Sequence, residues 1–238
     1  PDGYTLLVSS VSTHAQVPYL LKSVPYDIVK DFTQVSKIAS FEWLVVADPK
    51  KGYKDLQGLI SAAKKEPGKL NFGYGTASAL AGIAEFNRMA GIEAEGVAYK
   101  GQPLVLTDLI GGRIDFMLVD VNVSRTLIEA KQVQPLATAN TKRAALLPDV
   151  PTMAEAGLPG FEFTGWVGFS APANTPADRV QWIADHVKTA LENPEVSKRL
   201  LDIAITPDYL PPEQFSKFVA NEVKRWGERI PAAGIEPQ

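Results

Sequence analysis

The sequence predicts an α/β protein folded as two lobes, each a mostly parallel sheet flanked by helices. Three observations carry that reading. Short apolar runs alternate with segments of helical period along most of the chain. The chain is 238 residues long, enough for one large domain or two small lobes with a proper core. No repeat, low-complexity segment or flexible linker appears, so two lobes must be joined by structured strands. The apolar segments around Trp43–Ala47 and Trp166–Ser170 are the natural crossings, each running into a proline (Asp48-Pro49, Ala171-Pro172). This puts residues 1–42 and 168–238 in one lobe and 43–167 in the other.

Strands are expected at Thr5–Ser9, Trp43–Ala47, Leu70–Gly73, Ala94–Ala98, Asp115–Val119, Gln134–Ala139 and Trp166–Ser170. A helix over Lys54–Lys65 carries Leu56, Leu59, Ile60 and Ala63 on one face and stops at Pro67-Gly68. Thr175-Pro176 reads as an N-cap with proline at the first helical position, and Pro194 as that helix's end. A last helix from near Pro212 puts Phe215, Phe218, Val219, Val223 and Trp226 on one face.

Composition excludes several classes. Lysine and arginine number 24 against 27 acidic residues, a net charge of −3, and they are interspersed, so a nucleic-acid surface has no support. With no cysteine, disulfides, thiol nucleophiles and Cys-ligated metal are out. Apolar runs are strand-sized, short of the roughly 20 residues a bilayer span needs. The opening Pro1-Asp2-Gly3 turn leads straight into Tyr4-Thr5-Leu6-Leu7-Val8, from which upstream residues, a signal peptide among them, are expected to be missing.

The most informative segment is Gly73-Tyr74-Gly75-Thr76-Ala77-Ser78. A strand enters a Gly-X-Gly-Thr turn, and a helix with Leu80, Ile83, Ala84 and Met89 follows to Gly91. Glycines let the backbone turn and let a ligand come close. Thr76 and Ser78 set hydroxyls beside the unpaired N–H groups of a helix start, which favours an anion. The same residues also suit a plain strand-to-helix turn. A dinucleotide fingerprint would need a third glycine where Ser78 or Ala79 stands, and no Gly-Lys-Ser/Thr of a P-loop exists.

The exit Ser9-Ser10-Val11-Ser12-Thr13-His14 is similar: Ser10, Thr13 and His14 suit a polar ligand, or a Ser/Thr-capped helix start. His186, the other histidine, lies on a solvated helix flank. His14 lacks a second ligand at metal spacing and a partner for acid–base work, so neither metal, cofactor nor catalytic group is expected. Asp120 would bind a ligand amine or hydroxyl, or cap the next helix. Trp166 would wall a cleft, as would Trp43 and Phe41, or each would be core.

Pro1-Asp2-Gly3-Tyr4-Thr5-Leu6-Leu7, Pro25-Tyr26-Asp27 with Lys30-Asp31-Phe32, and Pro67-Gly68-Lys69-Leu70-Asn71 resemble the Bug family. So do Tyr99-Lys100-Gly101, Thr107-Asp108-Leu109-Ile110-Gly111-Gly112, Leu147-Pro148-Asp149-Val150-Pro151-Thr152 with Glu155-Ala156-Gly157, and Lys224-Arg225-Trp226-Gly227. These are the substrate-binding receptors of tripartite tricarboxylate transporters, and the resemblance covers the whole chain in order. It implies a type II periplasmic-binding-protein fold that traps a ligand between two lobes and delivers it to membrane transporter subunits. Ligands in the family are small mono-, di- and tricarboxylates, acidic amino acids and aromatic acids. A strand-to-helix loop from each lobe holds a carboxylate, and the inner one corresponds to Gly73–Ser78. The resemblance further implies a periplasmic location, and the expected state is a monomer.

Two features depart from the family. Its first strand, Pro-Gly-Gly loop and following helix would precede Pro1, and the histidine common after the inner-loop serine is Ala79 here. Two competing functions fare worse. A regulatory effector domain of the same fold normally carries a basic helix-turn-helix. An enzyme would have to work with His14.

Overall fold

The computed structural model describes residues 1–237. Its elements in chain order are β1 (Leu7–Ser10), α1 (Val17–Leu20), β2 (Phe32–Ala47), α2 (Leu56–Lys65), β3 (Asn71–Tyr74), α3 (Ala77–Ala90), β4 (Glu95–Ala98), α4 (Gln102–Ile110), β5 (Phe116–Asp120), α5 (Val121–Glu129), β6 (Gln134–Thr138), β7 (Thr164–Pro172), α6 (Ala177–Glu192), α7 (Pro194–Asp202), β8 (Ile205–Leu210) and α8 (Pro212–Ala232). A π-helical turn, Val11–Gln16, joins β1 to α1. The chain divides into two units, Pro1–Phe41 with Gly165–Gln238, and Glu42–Thr164. It changes unit inside β2 and at the start of β7, against the positions 42/43 and 167/168 expected from the sequence.

In the first unit β1 runs antiparallel to β7, with Leu7 opposite Ser170 and Ser10 opposite Val167. β7 lies beside β2. The N-terminal half of β2 also pairs antiparallel with β8, Phe41 opposite Ile205. Val35 and Ala171 pack against Val180 and Ala184 of α6, with Phe169 and Ile183 around them. On α8, Glu222 is 5% exposed and its Oε2 accepts from the indole N–H groups of both Trp166 and Trp226, each at 3.3 Å. Arg225 Nη1 stands 3.0 Å from the other oxygen, so this buried carboxylate has the partners that burial of a charge requires.

In the second unit β2 lies between β5 and β6: Leu44 is opposite Val119 on one side and Thr138 on the other. β3 pairs in parallel with both β4 and β5. Leu44–Ala47 and Phe116–Val119 are fully buried, which accounts for their continuous apolar runs. Asp55 caps α2 by accepting from Gly58 N–H at 2.8 Å, and Gly91 closes α3 in the left-handed conformation, φ 62°.

The sheets are mixed, where the alternation of strands and helices predicts mostly parallel ones. β2 passes through both units as one strand and runs antiparallel to β5, β6 and β8. Periodicity carries no sign of strand direction, so that crossing is invisible to it. Two helix ends also differ. Thr175 Oγ1 donates to Pro172 O at 2.7 Å instead of capping α6, and Pro176 is the capping residue. Pro194 does not merely end α6; it is the first residue of α7, capped by Asn193 Oδ1 accepting from Glu195 N–H at 2.9 Å. Proline needs no N–H at a helix start, so one residue serves both roles.

The residues at the two changes of unit are closely held. The Phe41 ring covers Gly165 so tightly that a Cβ there would overlap it. In the second unit Thr164 Oγ1 donates to Asn140 Oδ1 at 3.2 Å, and the Asn140 amide bonds the Glu42 carboxyl, whose pKa is raised mainly by burial. Gly165→Ala is therefore expected to destabilise the protein by about 1–3 kcal/mol. Phe41→Leu in the same chain should restore part of that loss in a urea titration. Strictly additive effects would show that the ring and the glycine do not interact as described.

Candidate ligand-binding site

The turn from β3 into α3 is held by close backbone packing. Gly73 is buried under Val105 and Ile114, and a Cβ on Gly75 would overlap the backbone of Gly101 and Gln102 at the start of α4. Thr76 is extended (φ −147°, ψ 157°), and its Oγ1 accepts from Ala79 N–H at 3.1 Å. The intrahelical ladder starts with Leu80 N–H donating to Thr76 O at 3.1 Å, so the N–H groups of Ala77 and Ser78 precede it. Thr76 is exposed, Tyr74, Gly75 and Ala77 are half-buried, and Ser78 is 4% exposed. Of the two hydroxyls expected to face a ligand, Thr76 is thus the accessible one. Small side chains and a dipole's positive end leave this turn able to take an anion.

Asp120 stands at the end of β5, opposite Trp43 of β2. It does not cap α5 with its side chain; instead Ser124 Oγ donates to its carbonyl at 3.0 Å. Its Oδ2 accepts from Gln102 Nε2 at 2.8 Å, and its own N–H donates to Gln102 Oε1 at 3.2 Å. Oδ1 is buried and makes no hydrogen bond within the protein. Burial pushes the carboxyl up to about 7, with the Gln102 bond opposing. Gln102, 5% exposed, thereby joins the Gly75 turn to Asp120, and no reading of the sequence singled it out. The available signal was the glycine-preceded, proline-containing helix start Gly101-Gln102-Pro103 after β4, the same kind of strand exit as Gly73–Ser78.

The first unit holds the other expected residues. Ser10 and Thr13 form a reciprocal capping box at the π-helical turn, Thr13 N–H donating to Ser10 Oγ at 3.3 Å and Ser10 N–H to Thr13 Oγ1 at 3.1 Å. His14 is 1% exposed, between Thr13 Oγ1 at 3.1 Å and Ser170 Oγ at 3.3 Å. Ser170 gives its proton to Gln34 Oε1 at 2.7 Å, so its oxygen is left to accept from His14 and the hydrogen is assigned to Nε2. His14 is therefore an interior, hydrogen-bonded histidine in this structure. Trp166, also 1% exposed, is interior too: its ring meets Phe215 and Phe218 edge-on at centroid distances of 5.6 and 5.5 Å. Trp166 is thus packed in the core in this structure, and the polar edge of each ring finds its partner inside. Among the described residues no group of three or more His, Cys, Asp or Glu could hold a metal ion, and no helix is long and apolar enough to cross a membrane.

Burial lowers the His14 pKa to about 4 from the ordinary 6.5. The unfolded chain then binds the proton first, so the stability His14 contributes is whole above about pH 6.5 and is lost as pH falls toward 4. Up to about 3 kcal/mol is at stake. Thermal melts of wild type and His14→Gln between these pH values should differ in slope, the variant losing less on acidification. Equal slopes would mean that His14 charges without leaving the fold.

The pattern of the tripartite tricarboxylate transporter family receptor matches residues 1–235. A UPF0065 protein from the tcbD-tcbE intergenic region of Pseudomonas sp. (strain P51) is 34% identical over 96% of this chain and 69% of its own length. Protein BugT of Bordetella pertussis is 29% identical over 99% of this chain and 73% of its own. Among solved structures, Rpa4515 of R. palustris with adipate superposes with a TM-score of 0.92 at 31% identity, covering 100% of this chain and 80% of that one. MatC from Rhodopseudomonas palustris with bound malate gives 0.84 at 30% identity, covering 97% and 80%. The periplasmic binding protein BugD gives 0.87 at 25% identity, covering 100% and 81%. The α/β architecture, the turn at α3 and these likenesses along the whole chain agree: this chain belongs to the tripartite tricarboxylate transporter receptor family.

Proposed function

We propose that the chain is a periplasmic receptor that captures a small organic carboxylate at the start of α3 and passes it to the membrane subunits of a tripartite transporter. The two units are its two lobes. The observation that carries the reading is the β3–α3 turn, where Gly75 lies against the α4 backbone and the first N–H groups of α3 precede the helical ladder. A carboxylate accepting from backbone N–H groups of the turn up to Ala77, and from the Thr76 hydroxyl, needs no arginine or lysine. Charge-assisted bonds to neutral donors contribute about 1.5–3 kcal/mol each. Adipate and malate bound to the structural neighbours Rpa4515 and MatC support dicarboxylates of this size. No nucleophile–base pair stands at the turn, so the ligand is held and not converted.

Thr76→Val removes both a ligand donor and the cap of α3, while Thr76→Ser keeps the hydroxyl for both roles. Calorimetric titration with the acid that co-purifies in native mass spectrometry should show the valine variant weaker by about tenfold or somewhat more, at 1.4 kcal/mol per decade. The serine variant should bind within a few-fold of wild type. If valine binds as wild type does, or if the amide analogue binds as well as the acid, the helix-start site is wrong. A second expectation concerns turnover. The bound acid should be recovered chemically unchanged after prolonged incubation, as read by mass spectrometry. A product whose formation disappears in His14→Ala would make the protein an enzyme.

A further inference from the structure

Asp120 is built to be uncharged. A carboxylate has two oxygens that both need donors when it is ionised and buried. Here Gln102 supplies one donor, to Oδ2 at 2.8 Å, and Gln102 cannot turn to supply another because its own Oε1 is engaged by Asp120 N–H at 3.2 Å. Oδ1 is buried without any hydrogen bond within the protein. A protonated acid fits this arrangement: Oδ2 accepts from the glutamine, and Oδ1–H is a donor that still lacks an acceptor.

No cation compensates the carboxyl. Its partner across β2 is Trp43, and the next titratable group on that strand, Glu42, is bonded by Asn140. On β5's approach Asp115 pairs with Lys51 at 2.7 Å. α4 carries Asp108, which pairs with Arg113 at 2.6 Å and Tyr99 at 2.8 Å. α5 carries Arg125 and Glu129, which pair with each other at 2.7 Å. α3, which also packs against β5, carries Glu85 and Arg88, and these pair with each other at 2.7 Å. The charged groups on these elements thus already have partners of their own.

We propose that Asp120 meets the ligand as a neutral acid, donating from Oδ1 to a ligand oxygen, so that capture of a carboxylate takes up one proton. The proposal rests on the receptor reading above, and it gives the reason an acidic residue stands in a site for acids. Ionised, Asp120 would repel the ligand; neutral, it adds an O–H···O⁻ bond, among the stronger hydrogen bonds available. The route from Gly75 through Gln102 to Asp120 puts this donor in the same assembly as the α3 turn. With burial holding the free carboxyl near 7, the proton is already present below that pH and must be taken from solvent above it. The sign follows: affinity is flat between about pH 6 and 7 and falls up to tenfold per pH unit above, one proton per ligand. A lone ligand carboxyl titrates near about 4, outside this window, and any later ionisation of a di- or tricarboxylate would persist in Asp120→Asn and so be told apart from that of Asp120.

The test is calorimetric titration of the whole chain with a panel of small mono-, di- and tricarboxylates, adipate and malate included. It is run at about pH 6 and about pH 8.5 in buffers of different ionisation enthalpy. Near one proton taken up per ligand at the higher pH, none at the lower, and an affinity at least tenfold weaker at the higher pH support the proposal. Asp120→Asn keeps an acceptor for Gln102 and a donor for the ligand, so it should bind with neither proton uptake nor pH dependence. Binding by wild type with equal affinity at both pH values and no proton uptake overturns the proposal and leaves the receptor reading standing. No binding of any acid at either pH overturns both. Proton uptake that survives in Asp120→Asn assigns the proton to another group and overturns the proposal as well.

Discussion

The candidate site depends on the missing side chain at Gly75. The backbone there lies against Gly101 and Gln102 closely enough that a single methyl group would force them apart. This contact draws together the start of α3, the start of α4 and, through the Gln102–Asp120 pair, the end of β5. All three lie where strands of one sheet end and chain segments turn away. That edge collects helix N-termini and their unpaired donors in any α/β sheet. Here Gln102, whose backbone meets Gly75, also holds the buried carboxyl of Asp120 through its side chain.

The same economy of side chains appears where the chain changes unit. Gly165 receives the ring of Phe41, and Asn140 ties Glu42 to Thr164. No flexible tether is involved at either place, because both changes fall within strands. A strand that begins in one core and ends in another must satisfy two hydrophobic patterns in succession. β2 does so: polar residues such as Ser36, Lys37 and Ser40 intersperse its first half, and a continuous apolar run forms its second. Lys37 is buried at 6% exposure and bonded to Asp208 at 2.5 Å, with the Phe218 ring 4.6 Å from its ammonium.

That mixed character explains what was legible in the sequence. The apolar half of β2, and β5, stand out because burial on both faces makes their runs unbroken. The first half of β2 does not, since Gln34 and Lys37 are buried through specific partners that no periodicity encodes. β8 is masked in the same way by Pro207 and Asp208, and α7 by a proline that punctuates two helices at once. At the site, the Gly-X-Gly-Thr turn was readable because glycine and a capping threonine have local meanings. Gln102 was not, because its role exists only once α4 and β5 are adjacent. His14 and Trp166 carry chemistry that a ligand site would use, yet the interior uses it first: each polar ring atom is met by Ser170, Thr13 or Glu222.

The central claim is that a ligand carboxylate is held by the first N–H groups of α3. Amide NMR of the isotope-labelled chain, titrated with its co-purifying acid and with the corresponding amide, measures this at the donors themselves. The Ala77 amide proton is expected to move strongly downfield with the acid and not with the amide. Shifts that leave 75–78 unmoved while the acid binds elsewhere, or that are the same for both compounds, would contradict it.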